Sequence, residues 1–144
     1  MAKQLKRPKP RNARELALET LMRIQVDQAY SNLALDQVLS GFPLAKDEKR
    51  LATAMVYGTL DYQFLFDEYI KEYSKTPIKK MDVLVLMVIR LGLWQIYFSR
   101  IPSRAAVHES VELVKYYGFA SAHGFVNGIL RKIIRQHERL TPRS

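Results

Sequence analysis

The stretch "GFVNGILRKIIRQHER", residues Gly124 to Arg139, decides between two fold classes. Its Asn127-Gly128 dipeptide is typical of a two-residue hairpin turn, which would place a strand on either side. On a helical wheel with about 100° per residue, six apolar side chains instead share one half-circle: Phe125, Val126, Ile129, Leu130, Ile133 and Ile134. A hairpin would point neighbouring apolar residues to both faces of a strand. The pattern therefore predicts a helix with one apolar and one basic face.

Apolar residues recur at three and four positions through most of the chain, and β-branched runs are short. This periodicity predicts an all-α fold of seven helices, with a break near Asp61 between the third and the fourth. Side chains that can accept a hydrogen bond from the first helical turn are the expected helix starts: Asn12, Ser31, Asp47 and Ser103, with Ser121 opening the seventh helix.

One segment, from about Lys80 to Phe98, is apolar on most sides and is predicted to run through the centre of the fold. It contains Arg90 and is shorter than the roughly 20 apolar residues that a membrane span needs. Its aromatic residues Trp94, Tyr97 and Phe98 lie near arginines, which would suit base stacking, but packing in the core is the favoured interpretation.

The formal charge of +9 is concentrated at the two ends of the chain. Residues 1–14 carry six cations and no acid, and residues 123–144 carry five cations against Glu138. The intervening residues 15–122 have 12 cations and 13 acids, a net charge of −1. Such clustering favours a polyanionic partner, and nucleic acid is the commonest one in a cytoplasm. The alternative is a basic tail that serves only solubility.

These features predict one domain with two basic extensions. Residues 1–11 are expected to form a flexible basic arm that Pro8 and Pro10 keep extended. Residues 12–138 are expected to form a single helical domain, with a boundary between sub-bundles near 74–80, where Pro77 disfavours helix. Residues 139–144 are predicted to begin a linker or tail.

Eight cations are the candidate phosphate contacts, in two groups: Lys6, Arg7, Lys9, Arg11 and Arg14 at the N-terminus, and Arg131, Lys132 and Arg135 in the last helix. The second group has an alternative explanation, because cations near a helix C-terminus complement the macrodipole. Replacing the four cations of residues 6–11 by alanine is expected to leave the fold intact and weaken RNA binding.

Motifs for catalysis or metal binding are lacking. The chain has no cysteine and no glycine-rich phosphate loop, so no catalytic residue is predicted. "HESVE", His108 to Glu112, lacks the second histidine at the spacing of a zinc helix, so no metal site is predicted either. The charged N-terminus is followed by no apolar segment typical of a secretory signal, which favours a cytoplasmic location.

Gly128 lies in the middle of the predicted basic face, between Arg135 and Arg139 on the wheel, where it lowers helix propensity by about 1 kcal/mol relative to alanine. Packing against a neighbouring helix is the favoured explanation. The alternative is the close approach of another backbone, protein or nucleic acid.

Several segments, taken in order, resemble one family: "RNARELALETLMRI", "AYSNLALDQVL", "VYGTL", "VIRLGLWQIYFSRIPSRAAVHESVELVK" and "GFVNGILRKI". They are similar to the all-helical domain shared by the antitermination factor NusB and the N-terminal part of the ribosomal RNA cytosine-5 methyltransferases known as Sun, Fmu or RsmB. The resemblance covers about Asn12 to Gln136. It implies two three-helix sub-bundles with an additional helix, and RNA binding centred on the basic arm and the first helix.

The motifs resemble the methyltransferase version more closely. That resemblance implies an RNA-binding N-terminal domain of a small-subunit rRNA cytosine-5 methyltransferase, which would place the enzyme on ribosomal RNA. The cofactor S-adenosylmethionine and the nucleophilic cysteine would then belong to a C-terminal methyltransferase domain. One alternative is a free-standing NusB-like antitermination factor that binds leader RNA together with a small partner protein. Another is a protein-docking module whose basic ends are incidental.

Overall fold

The computed structural model describes residues 6–142, and within that range the fold is entirely helical, as predicted. Residues 1–5 of the predicted arm and 143–144 of the predicted tail lie outside the described residues. Short 3-10 helices at Ile78–Lys80 and Ala120–Ala122 precede the fifth and seventh α-helices. The α-helices of the described range are α1 (Ala13–Val26), α2 (Ser31–Gly41), α3 (Lys46–Asp61), α4 (Gln63–Tyr73), α5 (Val83–Phe98), α6 (Ser103–Tyr116) and α7 (His123–Gln136).

Helix starts lie close to the predicted positions but mostly use other caps. The Oδ1 atom of Asn12 accepts a hydrogen bond from the backbone nitrogen of Glu15 at 3.0 Å, which confirms Asn12 as an N-cap. Ser121 lies in a 3-10 helix, and α7 begins two residues later. Three predicted N-caps are wrong, because an earlier residue in extended conformation already accepts the first hydrogen bond of the helix through its carbonyl. The N-caps are Tyr30, Ala45 and Pro102 instead of Ser31, Asp47 and Ser103.

The central position predicted for the fifth helix is confirmed, although α5 begins at Val83 rather than near Lys80. Helix α5 packs against five other helices: α1, α3, α4, α6 and α7. Residues of all seven described helices join its side chains in one hydrophobic core. Two glycines permit close packing: a methyl at Gly92 would lie 2.8 Å from Oγ of Ser110, and one at Gly58 would overlap the indole of Trp94.

Helix α4 joins the core through a buried ion pair. The predicted break occurs at Tyr62, which ends α3 and begins α4. On α5, Arg90 is 8% exposed and donates to both carboxylate oxygens of Asp67 on α4, at 2.9 and 2.7 Å. Of the aromatic residues on α5, Trp94 and Tyr97 pack against the core. Packing, rather than base stacking, therefore explains most of this aromatic run.

Residues 137–142 continue along the surface of α4 and α5. The hydroxyl of Tyr97 donates to the carbonyl of His137 at 2.9 Å, and the backbone nitrogen of Thr141 donates to the hydroxyl of Tyr69 at 3.0 Å. Leu140 is buried. Part of the segment predicted to begin a linker or tail therefore packs on the bundle.

Candidate nucleic-acid interface

Arg7 lies in the N-terminal arm, which is defined here as residues 6–11. Its guanidinium group faces α1 and not the solvent. It donates to the carboxylate of Glu19 on α1 through Nε and Nη2, at 2.9 and 3.2 Å. Arg23 donates to the same carboxylate at 2.8 Å. The Glu19 side chain is 8% exposed, so these two cations are the partners that compensate a buried carboxylate. The hydrogen bond with Glu19 raises the pKa of Arg7, which keeps the ion pair charged.

Arg11 is held by both α1 and α6. Its Nε and Nη2 atoms donate to the carboxylate of Glu15 at 3.0 and 2.7 Å. Its guanidinium carbon lies 3.6 Å from the ring centroid of Tyr116, in a cation–π contact. The hydroxyl of Tyr116 donates to the carbonyl of Lys9 at 2.8 Å. These contacts hold residues 7–11, part of the predicted flexible arm, against the bundle.

Of the three remaining N-terminal candidates, one is hydrogen-bonded within the protein and two have no described partner. Nε of Arg14 donates to Oε1 of the buried Gln95 at 2.7 Å, so this guanidinium group is turned toward α5. Lys6 and Lys9 are exposed, and neither side chain has a hydrogen-bond or ion-pair partner within residues 6–142. Among the arm's cations, the two lysines are therefore the ones whose charge has no described partner.

Two acidic side chains and a buried phenol underlie the arm. Glu15 and Glu19 are both buried on α1, facing Arg11 and Arg7. The hydroxyl of Tyr117 donates to the backbone carbonyl of Glu15 at 3.1 Å. Burial, reinforced by the charges of Glu19 and Glu15, raises the pKa of Tyr117 well above its ordinary value. The positive charge available to a ligand here is consequently smaller than the sequence count suggests.

The cations of α7 have a different environment. Lys132 and Arg135 are exposed and have no partner within the described residues, and Arg131 donates to the neutral Oδ1 of Asn127 at 3.0 Å. Gly128 is also exposed, and no described atom outside its own helical turns lies within 4 Å of the position of a Cβ. The expectation that Gly128 packs against a neighbouring helix is therefore wrong.

Arg104, which is not among the eight predicted phosphate contacts, lies beside two of the α7 cations. A surface cavity of about 300 Å³ lies between the start of α6 and the second half of α7. It is called the arginine cavity below and is lined by Ser103, Arg104, Val107, Arg131, Ile134 and Arg135. The sequence held one clue to Arg104, because a cation in the first turn of a helix opposes the macrodipole and is therefore unusual. That Arg104 lies beside α7 could be seen only from the packing of the two helices.

Helix α6 separates the arm from the arginine cavity. Tyr116, which contacts Arg11, is the last residue of α6, and Arg104 is the second. Twelve residues at 1.5 Å each place them about 18 Å apart along the axis and about 120° apart around it. The arm and the last helix therefore do not form one flat surface, a point that the sequence left open.

Sites for other chemistry are not apparent in the described range. No group of three histidine, aspartate or glutamate side chains within residues 6–142 is arranged to hold a metal ion. His108 is exposed on α6. No helix among these residues combines the length and apolar character needed to cross a membrane.

Comparison with known proteins assigns the family. The NusB family model matches residues 11–135, which is most of the chain. The transcription antitermination protein NusB of Pelotomaculum thermopropionicum is 35% identical over 134 residues, covering 92% of this chain and 93% of that protein. The chain therefore belongs to the NusB family, and its described all-helical structure agrees with that assignment.

A second group of relatives is longer. The probable ribosomal RNA small subunit methyltransferase B of Bacillus subtilis is 40% identical over 129 residues, covering 89% of this chain. A protein of the same name from Synechocystis is 33% identical over 129 residues. The chain spans 29% of the length of each of these two relatives.

Proposed function

We propose that this NusB-family domain binds RNA and performs no chemistry of its own. The observation that carries the proposal is a set of exposed cations without partners in the described structure: Lys6, Lys9, Arg104, Lys132 and Arg135. Exposed cations of this kind neutralise backbone phosphates and release counterions, which supplies affinity without sequence information. The named roles of both groups of relatives support an RNA ligand, since one concerns transcription antitermination and the other ribosomal RNA.

Within the arm, the lysines and the arginines have different proposed roles. Lys6 and Lys9 contact phosphates directly. Arg7 and Arg14 hold the arm and α1 in place through Glu19 and Gln95. Arg11 serves both purposes, because its side chain is 60% exposed although it pairs with Glu15.

Transcription antitermination is the biological setting that the coverage of the relatives supports. The Pelotomaculum relative is matched over nearly its whole length. In that setting the domain binds leader RNA in the cytoplasm together with a small partner protein. The higher identity to the Bacillus methyltransferase supports a second setting, in which the domain places an S-adenosylmethionine-dependent catalytic domain on small-subunit rRNA. This chain has no cysteine, so the nucleophile of that reaction would lie in the catalytic domain.

A salt titration with fluorescently labelled RNA tests the shared proposal. We expect micromolar or tighter binding at low salt, with log K falling linearly against log salt by about 0.7 per phosphate contact. Replacing Lys6 and Lys9 by alanine should reduce the slope by about 1.4, because two phosphate contacts are lost. Absence of binding at low salt would refute the proposal. Titrating leader RNA and a small-subunit rRNA fragment in parallel compares the two settings, since tighter binding of either RNA supports its own setting.

Replacing Arg7 and Arg11 by alanine is the matched comparison, because it removes the same charge from the same segment. The sequence predicted an intact fold for such variants, whereas the ion pairs with the buried Glu15 and Glu19 predict a loss of stability. We expect a lower urea midpoint for this variant and a smaller change in salt slope than for the lysine variant. Equal slopes in the two variants would contradict the proposed division of roles.

A further inference from the structure

The arginine cavity has a charge that its surroundings do not balance. Of the described residues, the six that line it include three guanidinium groups and no carboxylate. Several other arginines of the described chain have an acidic partner, as Arg7 has Glu19 and Arg90 has Asp67. Like charges held close together repel, so an anion that entered the cavity would remove that repulsion.

The position of Arg104 excludes the simplest structural explanation for this cluster. Cations in the last turn of a helix complement its macrodipole, which accounts for Arg135 on α7. Arg104 lies in the first turn of α6, where the macrodipole disfavours a cation. No side chain caps this end of α6, and its N-cap is Pro102. The positive end of the helix and the three guanidinium groups therefore act on the same cavity.

The chemistry of the cavity suits a phosphate group. Guanidinium groups donate two parallel hydrogen bonds to phosphate oxygens, and free N–H groups at a helix start add further donors. Val107 and Ile134 supply an apolar wall beside the arginines. A volume of about 300 Å³ accommodates a phosphodiester group with its adjoining sugar.

We propose that the arginine cavity binds a backbone phosphate of an RNA strand, with Arg104, Arg131 and Arg135 as its ligands. This inference rests on the proposed RNA-binding function and adds a second contact site, with Arg104 as a new member. Because the site lies about 18 Å along α6 from the arm contact at Tyr116, a strand must be several nucleotides long to reach both. Longer RNA therefore gains affinity by occupying two linked sites.

The test measures fluorescence anisotropy of labelled oligouridylate, in a short and a long form, with wild type and an Arg104→Gln/Arg135→Gln variant. The control variant Lys79→Gln/Lys80→Gln removes the same charge from exposed residues between α4 and α5. For the long RNA we expect the arginine variant to bind about tenfold more weakly, since two charge-assisted contacts are lost. Its salt slope should fall by about 0.7 for one lost phosphate contact. The control should bind within about twofold of wild type, because it keeps every proposed contact.

The outcomes separate this inference from the proposed function. If wild type binds long RNA and the arginine variant binds it as tightly as the control does, the inference is wrong while RNA binding stands. If wild type binds no RNA, both fail. Binding of polyglutamate as tight as that of RNA, lost in the same variant, would overturn the phosphate site in favour of acidic protein docking. Thermal melting serves as the folding check, and we expect no lower Tm in the variant because repulsion is removed.

Discussion

The N-terminal arm and the arginine cavity carry similar charge but use it in opposite ways. In the arm, Arg7 and Arg11 form ion pairs with the buried Glu19 and Glu15. In the arginine cavity, three guanidinium groups share one surface without a carboxylate among the described lining residues. The sequence favoured the arm as the main phosphate contact because the arm contains no acid. Its acidic partners, however, lie in α1, the helix that directly follows it. Charge counted by segment therefore overestimates the charge available to a ligand.

Removing the acid beneath the arm should make the two regions alike. Glu19→Gln deprives Arg7 and Arg23 of their shared countercharge while keeping an oxygen that can accept a hydrogen bond. We expect the free energy of unfolding to fall by about 2 kcal/mol, because two partly buried guanidinium groups lose their partner. RNA affinity at low salt should rise, since Arg7 is released toward the solvent. Urea denaturation and RNA titration measure the two effects.

Glu112→Gln is the matched control for that change. Glu112 pairs with Lys115 on α6 at 3.5 Å, and both side chains are about half exposed. Exposed pairs contribute little, so a change within about 0.5 kcal/mol is expected. If Glu19→Gln were no more destabilising than Glu112→Gln, the arm's arginines would not be engaged as described.

Alkaline pH should also affect the arm region more than the arginine cavity. Burial raises the pKa of Tyr117 above the 10.0 of the unfolded chain, so the folded state holds this proton more tightly. The resulting stabilisation is complete below about pH 10 and decreases as pH rises further. We expect the urea midpoint of wild type to be lower at about pH 11 than at about pH 9. Tyr117→Phe should lower the midpoint at neutral pH but reduce this alkaline decline.

Tyr97 provides the comparison within the same protein. Burial raises its pKa to about 12, and it lies on α5 beside His137, away from the arm. Both phenols start from the same ordinary pKa and stay protonated in the folded state at about pH 11, so Tyr97→Phe should reduce the alkaline decline by about as much as Tyr117→Phe does. A clearly smaller reduction in Tyr97→Phe would show that the alkaline decline comes from the arm region and not from buried tyrosines in general.

The fold was largely predictable from the sequence because its determinants are local or strongly periodic. The apolar face of α7, the central α5 and the Asn12 cap all follow from spacing within one helix. The cap predictions for Ser31, Asp47 and Ser103 were wrong because a suitable side chain does not settle which carbonyl accepts the first helical hydrogen bond.

The candidate interface was less predictable, because it depends on contacts between distant segments. The pairing of Arg11 with Glu15 could have been suspected from the four-residue spacing. The pairing of Arg7 with Glu19 depends on the path of the arm over α1, and the association of Arg104 with α7 depends on helix packing. The eight predicted phosphate contacts, together with Arg104, remain predictions that the RNA experiments test.

The smallest expected effect comes from Gly128→Ala, on the exposed side of α7. No described atom outside the adjacent turns of α7 lies within 4 Å of the new methyl position, so the substitution should raise stability by about 0.5–1 kcal/mol through helix propensity. RNA affinity should be unchanged, because the proposed contacts come from the long side chains of Arg104 and Arg135. Urea denaturation and the same RNA titration measure both properties. Higher stability with weaker RNA binding would show instead that RNA approaches the backbone of α7 at Gly128, and would extend the contact surface beyond the arginine cavity.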